Sequence, residues 1–142
     1  MFDTGHLHPM LVHFPIALVV IGFLADVTSL FFKKEPCLSR LGFYLLILGT
    51  LSALATWLTA ILFTSEMSGS AGKIKETHVL FALITLGILI ATSAFRILLH
   101  SGNRENTKLK WVAFTLYALA MIFVSITGYY GGTLVYNYMM PL

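Results

Sequence analysis

Charge is what this chain has least of. Only 11% of its 142 residues are Asp, Glu, Lys or Arg, against roughly a quarter in an ordinary soluble domain. At the same time 58% are hydrophobic, more apolar surface than a soluble fold of this size can hide. Cysteine is almost missing as well: Cys37 stands alone beside Pro36, which excludes an intramolecular disulfide and any thiol pair for redox or zinc chemistry. No nucleophile elbow, P-loop, dinucleotide glycine fingerprint or HExxH pair occurs. No low-complexity tract or separate polar domain occurs either. These absences argue against an independent enzyme and leave binding or electron transfer as the better-supported classes.

What is present is four stretches where charge vanishes: Pro9 to Phe32, Leu41 to Thr64, Val79 to Phe95 and Trp111 to Val135. Each is near the ~20 residues that cross a ~30 Å hydrocarbon core as a helix. Backbone polar groups find no water inside lipid, so such runs must be helical. The sequence therefore predicts an all-α, integral membrane four-helix bundle of up-down topology. It forms a single domain with helices at about 9–32, 41–64, 76–99 and 110–135. No basic n-region or small-residue cleavage site accompanies the first run, so helix one is expected to be retained.

Alternation of the helices puts Lys33, Lys34, Arg40, Arg96, Arg104, Lys108 and Lys110 on one side and only Lys73 and Lys75 on the other. Short basic loops stay in the cytoplasm, so both termini are expected outside. The net charge of +3 then reports topology and not nucleic acid, for which no soluble platform exists. The connection from Ser65 to Thr77, SEMSGSAGKIKET, reads as a flexible loop.

This topology gathers residues that are distant in sequence. His6, His8 and His13 open helix one, His78 opens helix three, and Tyr129, Tyr130, Gly131, Gly132 and Tyr136 close helix four, all toward the outer leaflet. At ~1.5 Å rise per residue, His13 and His78 fall within several Å of one depth, as two axial ligands of a haem or two ligands of a metal ion require. Ionisable residues inside apolar spans are rare enough to read as functional. Pro15 lacks the N–H that would bond back to Leu11, so a kink and a released carbonyl are expected beside His13. Gly128, Gly131 and Gly132 permit close approach of a flat ring or a neighbouring helix, and Gly128 with Gly132 forms a small-xxx-small pair. Lys73, Lys75 and the outer tyrosines are candidates for haem propionates.

Plainer readings stand beside these. His6, His8 and His100 read as interfacial polar residues, the glycines as helix packing, and Tyr44, Trp57, Trp111 and Tyr117 as packing or interfacial aromatics. Asp26 and Arg96 share a level near the cytoplasmic face and read as a structural ion pair. A proton relay lacks a second carboxylate to hand protons to.

The opening HPMLVHFPIAL, His8 to Leu18, resembles the signature of a bacterial family of predicted four-helix membrane proteins, domain of unknown function 2231. The LATWLTAI stretch, His78 and the GYYGGTLVY close, Gly128 to Tyr136, are similar too. The resemblance spans essentially the whole chain. It implies the four-helix fold and suggests His8, His13 and His78 as the characteristic polar positions; the expected location is the bacterial inner membrane, as a multi-pass protein. Some relatives look like b-type cytochromes or occur joined to redox modules.

Three functions follow as expectations. The first is a b-type cytochrome with one haem b held by His13 and His78, or by His8 in place of His13, and with Gly131, Gly132, Tyr130 and Lys75 around it. It would exchange electrons with quinol or a periplasmic redox protein, and His100 alone excludes a second bis-histidine haem. The second is a transition-metal protein in which His8, His13 and His78, with His6, hold copper, Met10 adding sulfur. The third is a cofactor-free structural subunit, assembling with copies of itself or with another membrane protein.

Overall fold

The computed structural model describes residues 7–32, 34–64, 66–102 and 108–138. His6, Lys33, Ser65 and Arg104 lie outside the described residues. The described chain is helical nearly throughout: α1 Leu7–Leu11, α2 His13–Phe31, α3 Pro36–Phe63, α4 Gly69–Ser101 and α5 Leu109–Tyr138. α1 and α2 make one span of 24 residues, His8–Phe31, and the other three spans are α3, α4 and α5 themselves. Only 22% to 28% of each apolar window is buried inside the bundle. Most apolar side chains therefore face outward, an arrangement stable in hydrocarbon and not in water. Serine and threonine hydroxyls on these helices donate to carbonyls three or four residues back, as Thr28, Thr92 and Thr115 do at 2.7 to 2.9 Å. Such back-bonding satisfies a polar group inside a span.

The helices run beyond the apolar stretches. α3 begins at Pro36, not Leu41, because proline suits the first helical turn, where its missing N–H costs nothing. The larger correction concerns the expected loop Ser65 to Thr77, most of which is helix: α4 starts at Gly69, whose φ of +68° follows an extended Ser68. Ala71, Ile74, Lys75 and His78 recur at the i, i+3, i+4, i+7 spacing of one helical face, and Ala71 is buried. Small and polar residues there signalled a turn, but the periodicity prevailed. His78 consequently sits in the third turn of a helix about 50 Å long at 1.5 Å per residue.

Two hairpins build the bundle. α2 pairs most extensively with α3, and α4 with α5; the hairpins meet along α2 and α5 and along α3 and α4. The core common to them is Val19, Leu46, Leu89, Tyr117, Ala120 and Val124. α2 and α3 approach closely where glycines remove side chains, Gly49 against Val19 and Gly42 against the Gly22 carbonyl.

Between the core and one end of the bundle lies a polar cluster to which all four spans contribute. Arg96 of α4 forms a bidentate ion pair with Asp26 of α2, the structural pairing expected from their common level. The guanidinium also lies over the rings of Phe43 and Tyr117, 5.8 and 5.7 Å from their centroids, and the Tyr117 hydroxyl donates to the Gly42 carbonyl at 3.4 Å. A Cβ on Gly42 would overlap the Asp26 carboxylate, standing 2.7 Å from its Cγ and 3.0 Å from the Gly22 carbonyl oxygen. Neither neighbour can yield, one being clamped by Arg96 and the other being backbone. Gly42→Ala is expected to lower stability by about 1–3 kcal/mol, the usual cost of overpacking. Gly87→Ala, which meets nothing within 4 Å, is expected to leave the thermal midpoint unchanged or slightly raised, and a scan of the two variants in one detergent checks both.

Candidate functional site

The opposite end of the bundle holds a cavity of about 700 Å³ bordered by all four spans. It lies in the size range of cofactor pockets, and its wall is mainly aliphatic with a few polar groups, the usual make-up of such sites. The residues that the sequence gathers at one leaflet do line it: His8, His13, His78, Lys75, Gly131 and Gly132, together with Met10. Tyr130 does not. Its ring stacks on Phe81 at 5.7 Å and packs edge-on to Tyr129, away from the cavity.

The three histidines are held in different ways. His8, in the short α1, is only 8% exposed, and its Nδ1 lies 3.1 Å from the Thr56 carbonyl and 3.3 Å from Thr59 Oγ1, both on α3. His78 Nδ1 lies 3.0 Å from the Thr127 carbonyl on α5. His13 is exposed and turns back on its own helix, with Nδ1 2.9 Å from the Pro9 carbonyl. A carbonyl oxygen only accepts, so in each case Nδ1 carries the proton and Nε2 keeps the lone pair. Among the described residues no fully buried side-chain nitrogen or oxygen lacks a partner, so the Nε2 atoms of His8 and His78, residues that both border the cavity, are not sealed in protein. Anchoring one ring nitrogen on a carbonyl is how proteins set the tautomer and direction of ligating imidazoles.

Local sequence explains these positions. Pro15 leaves the Leu11 carbonyl without its helical donor, and Thr56 Oγ1 reaches that carbonyl at 3.3 Å, while Val12 keeps helical backbone angles and bonds back to the His8 carbonyl. Thr56 thus docks the α1–α2 junction twice, through its hydroxyl to Leu11 and through its carbonyl to His8. The released carbonyl was legible at Pro15; Thr56 was not, because nothing in the sequence marks which face of α3 it occupies. Gly131 has the matching role for His78: a Cβ there would stand 3.1 Å from the imidazole Cε1. The flat ring for which this glycine makes room is the histidine itself. Gly128 instead packs on Ile16, and Gly132 has open space beside it.

His8 and His78 both border the cavity, and they come from opposite hairpins. His13 shares the cavity without that burial. Among the described residues no three His, Cys, Asp or Glu side chains gather tightly enough to hold a metal ion among them. At the far end His100 stacks on Phe43 at 5.3 Å, and Cys37 is exposed.

No curated protein and no solved structure matches the chain significantly. A family model does: domain of unknown function 2231, described as a predicted membrane protein, matches residues 5–141. With four membrane-length apolar helices in a bundle and a match over nearly its whole length, the chain belongs to this family of predicted membrane proteins.

Proposed function

We propose that the protein is a small b-type cytochrome of the membrane, holding one haem b between its hairpins with His8 and His78 as axial ligands. The observation that carries this reading is the pair of carbonyl-anchored imidazoles, one from each hairpin, that border the ~700 Å³ cavity. A haem asks the protein for two axial nitrogens at most, since its ring supplies the other four. A bare copper or zinc centre asks for three or four ligands, and no such cluster occurs among the described residues. The space beside Gly132 and the close seat of His78 at Gly131 suit a flat macrocycle, and Lys75 on the cavity wall supplies a cation for a propionate.

When bound, the haem supplies one-electron chemistry. The chain's part is to hold two imidazoles in one tautomer, keep the ring in an apolar wall and limit water around it. Lys34, Arg40, Arg96, Lys108 and Lys110 lie at the Asp26 end against Lys73 and Lys75 at the histidine end, which supports a bacterial inner-membrane topology with the haem toward the outer face. Quinol or a periplasmic redox protein is the exchange partner that such a position serves.

Protein purified from haem-replete cells is expected to show a Soret band and, on reduction, a sharp α band. His8→Ala is expected to lose the α band and His13→Ala to keep it. The reverse outcome would move the ligand to His13, and a colourless wild-type protein would end the cytochrome reading.

A further inference from the structure

α3 and α4 are tied together toward the middle of the bundle, where Thr50 Oγ1 and Ser93 Oγ lie 2.8 Å apart and the Thr50 hydroxyl also faces the Leu89 carbonyl at 3.5 Å. Two turns and more toward the histidine end the relation between these helices changes. Trp57 and Ile61 on α3 and Val79 and Leu83 on α4 all border the cavity, yet they remain between 40% and 62% exposed. Side chains that border a cavity and still keep about half their surface uncovered stand at its mouth. Small residues beside them, Ala60 and Ala82, leave the opening wide. Across the bundle Ile16 of α2 packs onto Gly128 of α5 and closes the seam at that level, while Met10, 60% exposed, and Tyr136, 86% exposed, border the cavity nearer its end.

The mouth opens sideways. Trp57 and Ile61 occupy the last two turns of α3, inside an apolar span, so the opening meets the bilayer near its interfacial edge, the level at which tryptophan settles. The mouth itself is apolar, while His8, His78, Thr56, Thr85 and Thr127 line the cavity behind it and Thr64 and Lys75 border it toward the end of α3. That gradient matches a molecule with a polar ring head and a hydrocarbon tail arriving from within the membrane. We propose that the slot between α3 and α4 binds the ring of a membrane quinone or quinol, with the tail left in the lipid. The choice of a quinone over another amphiphile rests on the redox reading above; the slot does not.

The chain has two tryptophans, Trp57 in the slot and Trp111 at the opposite end of the bundle. Trp111→Phe therefore makes Trp57 the only tryptophan in the full-length protein in lipid nanodiscs. Titrated with decylubiquinone, this variant is expected to show fluorescence quenching that saturates. Trp57→Phe, which reports from Trp111, is expected to show only the linear rise of collisional quenching. Placing Ala82→Phe in the Trp111→Phe background is expected to raise the half-saturating quinone fraction about tenfold, the equivalent of ~1.4 kcal/mol. Val79→Phe, at an exposed position, gives the same reading if Ala82→Phe does not fold. Linear quenching of both tryptophans, or saturation that neither plug alters, would overturn the slot. The haem band recorded on the same samples separates the two ideas: saturation in a colourless protein supports the slot and removes the cytochrome, and a haem band with linear quenching does the reverse.

Discussion

His78→Ala is expected to abolish the reduced α band while the bundle stays folded. His78 comes from a helix unconnected to α1 except through the packed bundle, so its ring is the only described imidazole on the α4–α5 side of the cavity. On the cytochrome reading proposed above, removing it would leave the haem one histidine at most, and the α band of a bis-histidine haem would be lost. The structural cost is small by comparison. The Thr127 carbonyl that accepts from His78 at 3.0 Å lies within α5 and keeps its helical N–H donor, so the loss is of the order of one hydrogen bond, about 0.5–1.5 kcal/mol. Imidazole added to the variant is expected to restore part of the band, because it fills the vacated ligand position. Thermal unfolding beside the spectra distinguishes this result from collapse of the fold: an α band of wild-type height in His78→Ala would remove His78 from the site.

The second large effect is expected at the other end of the bundle. Asp26→Ala deletes the carboxylate that neutralises Arg96, whose side chain is 15% exposed. The guanidinium would keep its two aromatic neighbours, Phe43 and Tyr117, but aromatic faces do not replace a bidentate carboxylate in a low-dielectric interior. Breaking one partner of a buried pair costs about 3–5 kcal/mol, mostly for the stranded charge. The double variant Asp26→Ala/Arg96→Met has no charge to strand and is expected to recover most of that loss. Denaturant unfolding of the single and double variants tests the coupling, and a single-variant loss below about 1 kcal/mol would show that Arg96 reaches water through the small pocket it shares with Lys110 and Ser29.

The two ends of the molecule differ in how far the sequence reveals them. Asp26 and Arg96 are ionisable residues in apolar spans at one level, and a low-dielectric interior leaves them little choice but to pair. The histidine end is harder to read. His8 and His13 are both near the start of the first span, five residues apart and therefore on different faces. Which of them turns inward depends on the rotation of the helix about its axis. Thr56 sets that rotation through Leu11 and His8, and a threonine in an apolar helix carries no mark of that task. Tyr117 is a parallel case: read as a packing or interfacial aromatic, it is fully buried and bonds the Gly42 carbonyl because Gly22 leaves it room.

By itself the sequence determined how many helices cross the membrane and which residues share a level, since the need to satisfy the backbone in hydrocarbon acts along the chain and is written in the length of each apolar run. Only the tertiary structure decided that α4 begins two turns early, that His8 and not His13 is the buried imidazole, that Tyr130 faces Phe81, and that Trp57, Ile61, Val79 and Leu83 border the cavity while about half exposed. Those features depend on helix rotation and on close approach between helices, which follow from side chains meeting across the bundle and have no counterpart in any single stretch of sequence.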